Sequence, residues 1–157
     1  MNPMQPLIAL LTQTERERDV AWAEAQQAAQ AQIAAVAQAE QLLTYRREYE
    51  QRWGEQFKSE GKMELVHCYR GFMDRLTQAV DQQERIAQNA NAQMERAREV
   101  LRDHEVRVAS VRKLIERRAQ ELRLSAERIE QKQTDEFGAR SAWNHPGLIG
   151  PGAARAA

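Results

Sequence analysis

The sequence predicts an all-α protein: two long helices folded back as an antiparallel coiled-coil hairpin, the second helix longer, with a disordered C-terminal tail. Three observations carry this. An apolar stripe recurs every 3.5 residues from Val66 to Ile129. Glutamine, glutamate, arginine and alanine dominate the chain while aromatics make up 6% of it, a composition of long helices rather than sheets. Glycines are absent before Gly54 and come as a pair, Gly54 and Gly61, between the two periodic segments.

The first element is expected from residue 7 to 53. Pro3 and Pro6 precede or open it, and a proline in the first turn loses no helical hydrogen bond. Its seam reads Ile8, Leu11, Glu15, Arg18, Trp22, Ala25, Ala29, Gln32, Val36, Ala39, Leu43, Arg46. Ten of the nineteen residues from Ala21 to Ala39 are alanine, which favours helix and lets a partner backbone approach closely. A large knob needs a small opposing residue, so Trp22 is expected to face Ala90 or Ala97. Residues 54–61 are the natural turn.

The second element is expected from 62 to 137, on the order of 110 Å at 1.5 Å per residue. Its seam is Val66, Tyr69, Met73, Leu76, Val80, Gln83, Ala87, Ala90, Met94, Ala97, Leu101, His104, Val108, Val111, Ile115, Arg118, Leu122, Ser125 and Ile129, of which fifteen of nineteen are apolar. Such a repeat keeps one stripe facing one partner helix. The first helix is shorter, so it should run out opposite roughly residues 101–115, leaving the last turns of the seam without a cover. From 138 to 157 glycine, proline and small residues dominate, which reads as a disordered tail.

Function classes narrow quickly. Lys plus Arg and Asp plus Glu are both 23, giving zero formal charge, whereas nucleic-acid binding needs a dense basic face. From Glu95 to Lys132 eleven basic and eight acidic residues interleave, the pattern of solvated helix faces whose pairs contribute about 0.3–0.5 kcal/mol each. Cys68 is the single cysteine, so no disulfide framework or thiol metal site is expected, and a reducing compartment follows. No apolar run reaches the roughly 20 residues of a membrane span, and residues 1–11 lack the features of a signal peptide. No phosphate loop, nucleophile elbow or HExxH is present. His67, His104 and His145 are far apart; His104 falls on the seam, where a packed or register-setting role fits better than a ligand role. Neither an enzyme nor a cofactor is expected.

Two short stripes remain. Gln38, Leu42, Tyr45 and Tyr49 are spaced 4-3-4, and so are Phe72, Leu76, Ala79 and Gln83. Each makes one helix face, and their similar distances from the turn place them side by side. They either widen the hairpin core or form a protein-binding hot spot, since clustered aromatics are typical of such spots.

The segment Arg128-Ile-Glu-Gln-Lys-Gln-Thr-Asp-Glu136 resembles the C-terminal signature of the FliJ family, soluble components of the bacterial flagellar type III export apparatus. Tyr69-Arg-Gly-Phe-Met-Asp-Arg-Leu76 with Ala79 and Gln82-Gln83 is similar to its central segment. Leu10-Leu11, Glu15, Glu17, Arg18, Asp19, Ala21, Leu42 and Tyr45 to Tyr49 are similar to its first helix. The resemblance covers residues 7–137. It implies an antiparallel coiled coil like the central stalk of rotary ATPases, which enters the hexameric export ATPase by its open end, promotes ring assembly, contacts the cytoplasmic domain of the export gate and escorts export chaperones. It further implies a cytoplasmic protein peripherally associated with the inner membrane. Gate contact maps onto Gln38, Leu42, Tyr45, Tyr49, Phe72, Leu76, Ala79 and Gln83. ATPase-ring contact is expected at Arg128, Glu130, Gln131, Lys132, Asp135 and Glu136. A chaperone- and cargo-recruiting module is the alternative reading.

Overall fold

The computed structural model describes residues 2–59 and 61–145. Two helices account for nearly all of them: α1, Gln5–Ser59, and α2, Met63–Asn144. Asn2 begins α1 as a cap, its side-chain oxygen accepting the Met4 N–H at 3.1 Å and its carbonyl the Gln5 N–H at 3.1 Å. These bonds satisfy donors that a helix start otherwise leaves open. Pro6 lies in the first turn, as expected.

Both helices run further than the sequence suggests. α1 passes through Gly54 and continues six residues beyond Trp53. Helical glycine costs about 1 kcal/mol relative to alanine, and here ring contacts outweigh it: Phe57 packs on Trp53 at 5.4 Å and across on Tyr69 at 5.3 Å. The connection is therefore shorter than residues 54–61. At the other end α2 continues through Gly138 to Asn144, so residues 138–144, expected in the tail, are helical. His145 precedes a proline, which disfavours helical backbone at that position. The rest of the expected tail, from Pro146 onward, lies outside the described residues.

The chain clusters into two units, one Leu10–Ala109 and the other Met1–Ala9 with Ser110–Ala157. In the first, α1 and α2 pair antiparallel. All of the α2 stripe positions from Val66 to Val108 are buried or half-buried there, with Val80 and Val108 each only 2% exposed. In the second unit, Met4, Leu7, Val111 and Ile115 are the half-buried residues among those described, and every described residue from Glu116 to His145 is exposed.

The α1 seam departs from the expected one by a shift in phase. Its inward stripe is Leu11, Thr14, Arg18, Ala21, Ala25, Ala28, Gln32, Ala35, Ala39, Leu42, Arg46, Tyr49 and Trp53, each buried or half-buried. Ten of the twelve expected positions are buried or half-buried, and Ile8 and Trp22 are exposed; beside Glu15, Trp22 and Val36 it is the residue one earlier, Thr14, Ala21 and Ala35, that is fully buried. Trp22 is 54% exposed and Ala21 only 3%, so Trp22 is not the knob facing Ala90 or Ala97. The reason is steric. An alanine-lined seam brings the backbones close, and an indole does not fit where a methyl does. Thr14, the one buried polar residue of the seam, gives its hydroxyl hydrogen to the Leu11 carbonyl at 2.9 Å.

Candidate functional site

Near the turn the alanine seam gives way to rings. Tyr45, Tyr49, Trp53 and Phe57 recur every fourth residue on α1, and side chains at that spacing stack one above the next. Their successive centroids lie 6.0, 5.8 and 5.4 Å apart. From α2, Phe72 meets Tyr49 at 4.3 Å, and Tyr69 meets Trp53 at 5.6 Å. Six of the nine aromatic residues of the chain are thus gathered in one ladder. Tilted and edge arrangements such as these are the favourable ones for aromatic pairs.

The eight residues expected at the gate contact lie along one edge of this unit, in graded exposure. Gln38 and Tyr45 are exposed; Leu42, Tyr49, Phe72, Ala79 and Gln83 are half-buried; Leu76 is buried at 7%. Leu42 and Tyr49 belong to the α1 seam itself rather than flanking it. Tyr45 stands outside it with 46% exposure. Gln38, Gln41, Leu42, Tyr45 and Gln83 line a shallow depression of about 490 Å³. On the other side of Tyr45, Ala37, Glu40, Gln41, Thr44 and Glu48 line a second one. Tyr45 is the ridge between them. Gln83 bridges the helices: its amide nitrogen donates to Gln38 Oε1 at 3.1 Å and to the Ala35 carbonyl at 3.4 Å.

The stripe spacing includes Tyr45, Tyr49 and Phe72 of this ladder and leaves out Trp53, Phe57 and Tyr69. The signal was in the sequence, because Trp53 and Phe57 continue the four-residue spacing of Tyr45 and Tyr49. Ending α1 at Gly54 hid it.

The residues expected at the ATPase contact all lie on an exposed stretch of α2. Arg128, Gln131, Lys132 and Asp135, spaced 3-1-3, share one face with Ile129 around a depression of about 260 Å³. Glu130 and Glu136 do not line it. The Glu130 carbonyl instead accepts the Thr134 hydroxyl at 2.9 Å. The arrangement offers mixed charge around an apolar side chain, which suits a polar protein surface rather than a small molecule.

His104 occupies the α2 seam as expected. It is half-buried, and its buried Nδ1 has no hydrogen-bond partner among the described residues. Among the described residues no group of three or more His, Cys, Asp or Glu could hold a metal ion, and no helix is long and apolar enough to cross a membrane.

Comparison with known families bears on this arrangement. The family model described as flagellar FliJ protein matches residues 4–147, which span both helices and both candidate surfaces. The chain belongs to the FliJ family. A role connected with flagellar protein export follows from that membership. No curated protein and no solved structure matches the chain. For this FliJ-family chain, then, the residues that act are argued from its own geometry.

Proposed function

We propose that the chain is a non-enzymatic stalk and adaptor of the flagellar type III export ATPase, promoting ring assembly and coupling the ring to the export gate. Two surfaces divide the work. The edge formed by Gln38, Leu42, Tyr45, Tyr49, Phe72, Leu76, Ala79 and Gln83 takes the cytoplasmic domain of the gate. Arg128, Glu130, Gln131, Lys132, Asp135 and Glu136 take the ATPase ring, with Leu122 and Ile129 as apolar contacts. The protein works in the cytoplasm at the inner membrane, where the export apparatus sits.

The observation that carries this reading is the exposure of α2 beyond Ile115 within a chain of this family. Leu122 and Ile129 keep a coiled-coil stripe in water, and exposed apolar surface costs roughly 25 cal/mol per Å² relative to burial. A stripe kept in that condition is best explained by a partner that buries it. Purified chain mixed with the export ATPase is expected to raise ATP hydrolysis and hexamer formation. Truncation after Arg123 is expected to abolish both while sparing gate binding. A chain that captures export chaperones yet leaves hydrolysis unchanged would instead be a recruiter of cargo.

A further inference from the structure

We infer that Gln83 is a positioning residue: it fixes the register of α2 against α1 and so assembles Tyr45, Tyr49 and Phe72 into one face. The inference rests on the reading of that edge as a binding face.

A glutamine amide has two hydrogens to give. Both of Gln83's are directed at α1, one at Gln38 Oε1 and one at the Ala35 carbonyl. Gln83 therefore has no hydrogen left for a partner, although it belongs to the face by position. Gln38, although exposed, is engaged from within by the same bridge. Two of the eight residues of the face thus serve it by holding the helices rather than by contact.

The neighbouring seam needs such a device. Ala21, Ala28 and Ala35 are successive heptad positions of the inward stripe of α1. Within this column a slide replaces methyl by methyl and is poorly resisted by packing there. Ring pairs tolerate centroid separations from about 4.5 to 7 Å, so the aromatic ladder opposes a full heptad slide but leaves smaller offsets of the two helices loosely set. Paired hydrogen bonds are directional, and a polar residue in a seam selects one register. One heptad either way from Gln38 stand Ala31 and Tyr45. Neither offers a side-chain amide, so only the observed register gives Gln83 both partners.

The test separates holding from touching. Full-length chains carrying Gln83→Leu, Gln38→Leu and Gln38→Glu are compared with the unaltered chain by melting, by NMR contacts between the Tyr49 and Phe72 rings, and by affinity for the isolated cytoplasmic domain of the export gate. Gln83→Leu is expected to keep or raise the melting temperature. It should nevertheless split or lose the single set of Tyr49–Phe72 contacts and weaken gate binding tenfold or more. Gln38→Leu, at an exposed position, should act in the same direction should Gln83→Leu prove poorly soluble. Gln38→Glu retains an acceptor for Gln83 and should keep one set of ring contacts. An unchanged single set of ring contacts in both leucine variants would overturn the inference. So would Gln38→Glu losing tenfold in affinity with ring contacts intact, since the amides would then be touching the partner. An unaltered chain that fails to bind the gate defeats the binding-face reading alone, because the ring contacts still report the register.

Discussion

Tyr45 and Leu76 belong to one face and should answer to substitution in opposite ways. Leu76 is buried against α1, and truncating a buried leucine to alanine costs about 2–5 kcal/mol. Leu76→Ala should therefore lower the melting temperature markedly. Tyr45 is nearly half exposed, so Tyr45→Ala should change stability by only about 0.5 kcal/mol while costing about 2 kcal/mol in gate binding, the scale of an aromatic hot spot. Calorimetric melting and binding titration of the two variants read the contrast directly. If Tyr45→Ala melts as low as Leu76→Ala, the ring is core and the face is not a binding surface. Trp22 and Ala21 make a second pair. Trp22→Ala should be nearly neutral, within about 0.5 kcal/mol. Ala21→Leu forces three extra carbons into a closed seam and should destabilise by about 1–3 kcal/mol.

At the scale of the element, the 3.5-residue repeat was enough to read all of the covered stripe of α2, because large apolar residues at both ends, Met73, Leu76 and Val80 and then Met94, Leu101 and Val108, hold the phase across Ala87, Ala90 and Ala97. The α1 stripe was less sharply legible. Where alanine stands at both of two adjacent candidate positions, as at Ala28 and Ala29, hydrophobicity does not choose between phases. At Trp22 it chose wrongly, since the bulkier residue is the one a close seam excludes, and half-buried Val36 lies beside the more buried Ala35. Counting back from Trp53 and Tyr49, instead of forward from Ile8, gives the observed phase. The helix ends are the least legible part, because glycine marks a stop by propensity whereas at Gly54 neighbouring rings carry the helix through. Gly54 has open space around its Cα, so Gly54→Ala should stabilise α1 by about 0.5–1 kcal/mol. Thermal unfolding followed by circular dichroism checks this; a loss of stability would show that the glycine is needed for a bend.

For the whole molecule, the two units should respond differently to hydrogen exchange. Amides of α2 within Leu10–Ala109 lie under a paired seam and should exchange slowly. Those from Glu116 to Asn144 belong to a helical stretch with every side chain exposed and should exchange fast, as weakly packed helix does. Added export ATPase should slow the second set and leave the first unchanged. Equal protection of both stretches in the free chain would mean that the far part of α2 is already covered, by a second copy or by residues of its own chain. Family membership was legible from short words such as Glu130-Gln-Lys-Gln-Thr-Asp-Glu136, and the side-by-side placement of Tyr49 and Phe72 from two 4-3-4 spacings. The interhelical Gln83 bridge was not, because no pattern within one helix specifies which carbonyl of the other it will meet.

The alanine seam also bears on how this chain can change over generations. Alanine is the smallest side chain that still favours helix, so at Ala21, Ala25, Ala35 and Ala39 almost every mutation is an enlargement. Serine and glycine are the only near-isosteric exits, one adding a hydroxyl to satisfy and the other about 1 kcal/mol of helix cost. The closest part of the helix pair is therefore the part with the fewest neighbouring sequences open to it. Variation should accumulate on the outward positions of α1, at residues such as Trp22 and Ile33, while the methyl stripe stays still.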